Sequence, residues 1–144
     1  MAHKEETIGK FAEMIARAAL MAAGWSGVSK PETEEPYDIL ATDPTSGEIK
    51  RFQVKTIRDR TKERGYLTVN GRKNTGLPYT VADADYFIGV LIEAGVTKAY
   101  MFENRGLTEY WMPRKNEGKR EWVEMPLNLD RAFLAALENE AEAV

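Results

Sequence analysis

Asp38, Gln53 and Lys55 are the residues whose types and spacing offer chemistry. The first stands in Pro36-Tyr37-Asp38-Ile39-Leu40, and the other two follow a turn in Arg51-Phe52-Gln53-Val54-Lys55. Side chains alternate across a sheet, so Gln53 and Lys55 share one face while Phe52, Val54 and Thr56 take the other. If a hairpin pairs the two segments, Asp38 reaches the face that carries Gln53 and Lys55. An Asp oxygen, the Gln amide oxygen and a backbone carbonyl, that of Val54, then form a hard-oxygen set suited to Mg²⁺, with Mn²⁺ as a substitute. Lys55 beside such an ion would hold and polarise a water, while the ion lowers that water's pKa and neutralises charge growing on a phosphate. Each residue also has a plainer reading. Asp38 after a Pro could be a turn acceptor at a strand edge, and Gln53 with Lys55 a polar pair on a solvated sheet face.

Composition narrows the chemistry. The chain has no Cys and a single His, His3, which removes thiolate ligands, thiol nucleophiles and His-based triads from consideration. Carboxylates, amides, Lys, Arg and hydroxyls remain. At 144 residues, 43% of them hydrophobic, the chain fits one domain with a sizeable core. We place that core at about 7 to 102, with a carboxy-terminal extension from about 103 to 144. No apolar run is long enough to span a bilayer, and the amino terminus lacks a signal-like stretch, so the expectation is a soluble, cytoplasmic protein without a membrane partner.

The elements that must position these residues follow from periodicity. Ile8, Phe11, Ala12, Ile15, Ala19 and Ala22 recur at helical spacing, which predicts a helix over about 7 to 23 with Thr7 as N-cap and Gly24 as stop. Residues 37–41 read as a short strand, Asp43-Pro44-Thr45-Ser46-Gly47 as a hairpin turn, 49–57 as a second strand and 66–69 as a third. Val81 to Ala84 reads as a helical turn. Tyr86 to Ile92 is nearly continuous apolar sequence, suited to a central strand buried on both faces, and 97–102 pairs with it across Glu93-Ala94-Gly95. A helix from about Asp130 closes the chain. These elements predict an α/β fold with a mixed central sheet of about five strands flanked by helices.

Charge is distributed unevenly. The chain carries a formal net charge of -3, yet Ile49 to Lys73 holds nine basic residues against Asp59 and Glu63. The segment from Asp130 is acidic. A local charge of +7 on an acidic chain grips phosphates in one place, or else forms a solvated loop. The expected phosphate contacts are Arg58, Arg60, Lys62, Arg64, Arg72 and Lys73, with Asn70 to Gly76 a loop whose basic residues stay mobile until bound. Trp111, Trp122 and Tyr110 offer base stacking or, alternatively, core packing. Glu48, next to Gly47, reads as a solvated turn residue.

Asp38 followed by Gln53-Val54-Lys55 resembles the PD-(D/E)XK nuclease superfamily. Gly9-Lys10-Phe11-Ala12-Glu13 is similar to the helix signature of its small resolvase and intron-endonuclease members, and Gln53-Val54-Lys55-Thr56 to a group I intron homing endonuclease branch. Tyr79-Thr80 with Asp83, Asp85, Tyr86 and Phe87 also resembles that branch. The resemblance implies a restriction-endonuclease-like fold and a Mg²⁺-dependent endonuclease acting on branched or duplex DNA. Asp38 and Gln53 would be metal ligands, Lys55 would orient the attacking water, and Glu13 would act as auxiliary ligand or base. Read by itself, Glu13 could equally pair with Arg17, four residues on. Gln53 replaces a carboxylate, so the site carries one fewer negative charge. One site cuts one strand, so cutting two strands calls for a homodimer or higher homo-oligomer. A Holliday-junction-resolvase-like enzyme ranks first. A sequence-specific homing or restriction-type endonuclease follows, and a catalytically silent DNA-binding module is the third reading.

Overall fold

A computed structural model of the chain describes residues 3–114 and 121–142. Its centre is a six-stranded sheet in the order β1-β2-β3-β6-β7-β9, beside a three-stranded sheet in the order β4-β5-β8. The first holds β1 (Ser26–Ser29), β2 (Ile39–Thr42), β3 (Ile49–Thr56), β6 (Tyr86–Glu93), β7 (Val96–Glu103) and β9 (Val123–Met125). The second holds β4 (Arg58–Arg60), β5 (Tyr66–Asn70) and β8 (Glu109–Pro113). Helix α1 (Lys4–Ala22) covers one face of the large sheet, α2 (Thr61–Arg64) is a single turn, and α3 (Arg131–Glu142) comes last. The mixed α/β class is therefore as expected, with six strands in the main sheet instead of about five and a second sheet that the pattern did not announce.

Strand β6 is the central element. Its Ile88 and Val90 pack under α1 with Phe52, Val54, Ile39 and Ala41. Its Phe87 and Leu91 face the other way, into a core closed by Leu67, Val69, Tyr110 and Met112 of the small sheet. Both faces are thus covered, which is why the strand reads as an unbroken apolar run. Between Phe87 and Leu91 on the second face stands Gly89, where an added Cβ would come within 3.0 Å of Ile57 and 3.3 Å of Val69. The absent side chain lets the small sheet close down on β6.

Helix α1 begins three residues earlier than predicted. His3 is the N-cap, and Thr7 sits one turn inside with its N–H donating to the His3 carbonyl at 3.0 Å. Glu5 and Glu6 in the first turn favour that start through the helix dipole. The buried face is also rotated: Ala12, Ala16, Ala19 and Leu20 touch the sheet, whereas Phe11 is 41% exposed. Small alanines let the helix approach the strands closely, and Phe11 is left on the rim. The predicted stop holds, with Gly24 at φ +91°.

Strands β2 and β3 pair antiparallel from Ile39↔Phe52 to Thr42↔Ile49, across a turn in which Asp43 Oδ1 accepts from the Thr45 N–H at 2.8 Å. Strands β3 and β6 pair parallel, Gln53 opposite Phe87 and Lys55 opposite Gly89. A parallel pair needs a long crossover. Here residues 57–85 supply it, and they carry β4, α2, β5 and the arm that follows.

Asn104 ties this crossover to the rest of the molecule. It is 2% exposed; its amide donates to the carbonyls of Thr80 and Ala84, both at 2.9 Å, and its oxygen accepts from Gly106 N–H at 3.0 Å and Tyr110 O–H at 3.2 Å. Tyr110 and Trp122 belong to the core, Trp122 stacked on Phe102 at 4.7 Å, and Trp111 alone of the three aromatic candidates is exposed. Asn104→Ala strips partners from two buried and two part-buried polar groups and should cost about 2–4 kcal/mol. Urea unfolding checks this; a loss below about 1 kcal/mol would mean that water replaces the amide.

Candidate active site

Strand β2 starts at Ile39, so β3 runs on past Phe52 with no strand on that side. Val54 presents its N–H and C=O to the open edge. Asp38 answers the first: its Oδ2 accepts the Val54 N–H at 2.9 Å, while its own N–H donates to the Phe52 carbonyl at 2.8 Å. The carboxylate is thereby fixed at the point where the two strands part. The Val54 carbonyl receives only a long contact among the described residues, 3.4 Å from Gln53 Nε2, and keeps its acceptor capacity.

Glu6, Lys10 and Glu13 from α1 meet Asp38, Gln53, Val54 and Thr56 around one cavity of about 290 Å³. Four of the expected site residues therefore converge, including Glu13, which reaches the strand edge from the helix side. Glu13 Oε2 lies 3.9 Å from Lys30 Nζ at the end of β1, so its ionic partner is Lys30 and not Arg17. Burial holds the Asp38 carboxyl above the usual aspartate range; the Val54 N–H opposes this, and the Glu13 charge adds to it. Burial also lowers the Lys55 ammonium, against the attraction of Asp38.

The donor set fits a hard cation. Asp38, Glu13 and Glu6 bring carboxylates, Gln53 an amide and Val54 its backbone carbonyl to the lining of the same cavity, beside Lys10, and a cation would relieve the repulsion between Asp38 and Glu13. Among the described residues there is no cluster of three or more His, Cys, Asp or Glu side chains that could cage a metal.

Lys55 lies around the corner from this cavity. With Thr56, Glu5, Ile8, Arg58 and Asn70 it lines an adjoining hollow of about 340 Å³. Arg58 and Asn70 in turn open onto a third hollow, about 310 Å³, shared with Arg60, Arg64, Thr68, Arg72, Thr108 and Glu109. The three hollows form one track, linked by Thr56 and then by Arg58 and Asn70. Four of the six predicted phosphate contacts, Arg58, Arg60, Arg64 and Arg72, thus converge, with Arg64 3.6 Å from Glu109. Lys62 sits exposed on α2, outside the lining of that hollow. Lys73, expected in a loop free until bound, pairs with Asp83 at 2.7 Å.

The sequence reading passed over Lys30 and named Tyr79 only within the resemblance, with no role. Lys30 gave no local signal, because only the fold brings the end of β1 to α1. Tyr79, half-buried, holds its ring 5.1 Å from Lys55 Nζ, and its position after Pro78 in an apparent loop did not announce that contact.

No protein-family model and no curated protein matches the sequence. Among solved structures the chain is similar to that of a bacterial homing endonuclease, I-Ssp6803I, with a TM-score of 0.59 and 21% identity over 100% of both chains. That likeness shows a shared fold along the whole length.

The raised Asp38 carboxyl has a consequence for stability. A carboxyl whose folded pKa lies above its unfolded value binds its proton more tightly when folded, so the stability it lends at low pH is lost as pH rises through the folded pKa. Asp38→Asn cannot ionise and still offers an oxygen to the Val54 N–H. The Tm of Asp38→Asn relative to the parent should therefore rise from pH 3.5 to pH 7, ending at or above the parent's value. A relative Tm that falls over this interval would contradict the electrostatics described.

Proposed function

We propose that the chain is a metal-dependent DNA endonuclease, with Mg²⁺ as the metal. The observation that carries this reading is the convergence of Asp38, Glu13, Gln53 and Val54 on one cavity, which shares Thr56 with the hollow of Lys55, as that hollow shares Arg58 and Asn70 with an arginine-lined one. The similarity to a homing endonuclease over the full length of both chains supports it. Fold alone does not decide activity, so the weight rests on the side chains.

Asp38, Gln53 and Val54, with Glu13 as auxiliary, would hold the ion, which when bound lowers the pKa of water and stabilises charge on the phosphate. Lys55 would position the attacking water and stabilise negative charge as the water oxygen bonds to phosphorus and the bond to one ester oxygen breaks. Arg58, Arg60, Arg64 and Arg72 would seat neighbouring phosphates, contacts that position the backbone without reading sequence.

For the substrate, duplex DNA with preferred sites takes precedence over a four-way junction. In the small sheet, Leu67, Val69, Tyr110 and Met112 face the core. The alternate residues Arg58, Arg60, Tyr66, Asn70 and Trp111 therefore form the opposite face, with Trp111 57% exposed. A ribbon of strands fits the major groove, where Asn70 would read base edges while the arginines stay on phosphates. Cutting both strands calls for two copies of the site, and a homodimer or higher homo-oligomer belongs to this proposal.

The test is digestion of supercoiled plasmid, linear duplex and a mobile four-way junction, each with Mg²⁺ and with EDTA. The expected outcome is Mg²⁺-dependent cleavage of duplex at a few discrete sites. Asp38→Ala and Lys55→Ala should each lower the rate by at least about 10³-fold while retaining DNA binding. Faster cutting of the junction would reverse the substrate order. Full activity in EDTA, or in Asp38→Ala, would overturn the assignment.

A further inference from the structure

Lys55 is held from outside the oxygen-lined cavity. Its ammonium donates to the Arg72 carbonyl at 3.0 Å and lies 5.1 Å from the centre of the Tyr79 ring. Both partners belong to one small arm. Arg72 bridges Pro78, the Lys73 N–H donates to the Leu77 carbonyl at 2.8 Å, and the Tyr79 N–H to the Gly71 carbonyl at 3.1 Å, which closes residues 71–79 into a hairpin.

The arm is pinned at both ends. At its base Gly71 donates its N–H to the Thr108 carbonyl at 2.9 Å, and a Cβ there would strike the backbone of Leu107. On the other side Lys73 pairs with Asp83 at 2.7 Å, and Asp83 also accepts the Thr80 N–H at 2.8 Å. The Tyr79 ring meets Phe87 edge-on, 5.8 Å apart and at 85°, and Phe87 is fully buried. The ring is therefore backed by the core while its face is offered to a cation.

We propose that Tyr79 is the positioning residue for Lys55: its ring holds the ammonium against the Arg72 carbonyl and so fixes the lysine beside the oxygen-lined cavity. The arm thereby joins two parts of the track, because the residue whose carbonyl accepts the Lys55 hydrogen bond is also the one whose side chain lines the arginine hollow. A phosphate that engages the Arg72 side chain acts on the backbone to which the lysine is tied. This assignment rests on the endonuclease reading for its catalytic meaning, but the contact itself does not.

The tests compare Tyr79→Phe, which keeps the ring, with Tyr79→Leu, which removes it. A cation over a ring is attracted to its face, and nuclei over that face move upfield in proton NMR. In the parent protein, without DNA or metal, the Lys55 ε-methylene protons, identified by their loss in Lys55→Ala, should lie upfield of every lysine but Lys73, whose ammonium also lies 5.9 Å from the centre of the Tyr79 ring. They should stay there in Tyr79→Phe and return to the ordinary position in Tyr79→Leu. Turnover should fall about ten- to hundredfold in Tyr79→Leu with duplex affinity changed less than about twofold, and stay within about twofold of the parent in Tyr79→Phe. Thermal melting checks each variant; if Tyr79→Leu does not fold, Tyr79→Met, similar in volume and lacking a ring face, takes its place. An unchanged Lys55 signal or an unchanged turnover on removing the ring overturns the proposal, as does a Tyr79→Phe defect as deep as that of Tyr79→Leu. If the parent cleaves no DNA, the endonuclease reading falls by itself, and the Lys55 signal still decides whether the ring holds the lysine.

Discussion

A strand edge left open past Phe52 is the constraint from which the candidate site follows. A bare N–H and C=O at Val54 would each be costly if buried without partners, and the chain resolves this unequally. The Asp38 carboxylate takes the N–H at 2.9 Å, leaving the carbonyl to the cavity. That one hydrogen bond sets the carboxylate's position, and it places a backbone oxygen beside it. Alternation along β3 then puts Gln53 and Lys55 on the other side of the strand from Phe52 and Val54, whose packing under α1 fixes the strand's height. Helix α1 adds Glu13 to the same cavity because small alanines let it lie close to the sheet.

The parallel pairing of β3 with β6 explains why basic residues gather beside this acidic edge. The chain leaves β3 at Thr56 and returns in the same direction at Tyr86, so an excursion of about thirty residues is unavoidable. It is folded as a small sheet and a hairpin arm instead of a single helix. The apolar residues of that sheet cover the second face of β6, and the alternate positions leave arginines pointing outward. Six of the twenty Lys and Arg residues of an otherwise acidic chain are thus carried by this crossover, and four of them line one hollow. Local charge, and not the net value of -3, describes the surface a phosphate would meet.

Much of this was legible in the residues. Strands with clean alternation or an unbroken apolar run, β3 and β6, and the turns at Asp43–Gly47 and Glu93–Gly95 announced themselves through side-chain period and turn chemistry. Asp38 and Gln53 were brought together as the spacing implied, and Glu13 joins them as the resemblance implied. The short strands β1, β4, β8 and β9 were not foreseen. Ser26–Ser29 offers a single apolar residue, Val28, and Arg58–Arg60 reads as a charge run until β5 pairs with it. Phe11 was assigned to the buried stripe because hydrophobicity marks a helix face only to within about one residue's rotation; packing chose the alanines. Lys30 and Tyr79 lie far from Glu13 and Lys55 in sequence, and no local pattern encodes contacts made by tertiary folding alone.

The central claim is that the open edge of β3 binds a divalent cation through oxygens. Titration of ¹⁵N-labelled protein with Mn²⁺ in the absence of DNA tests it, since the ion broadens the signals of nuclei close to it. The account predicts selective loss of the Val54 amide and the Gln53 side-chain amide, reversed by excess Mg²⁺ and absent in Asp38→Ala. Broadening centred elsewhere, or the same pattern retained in Asp38→Ala, would contradict it.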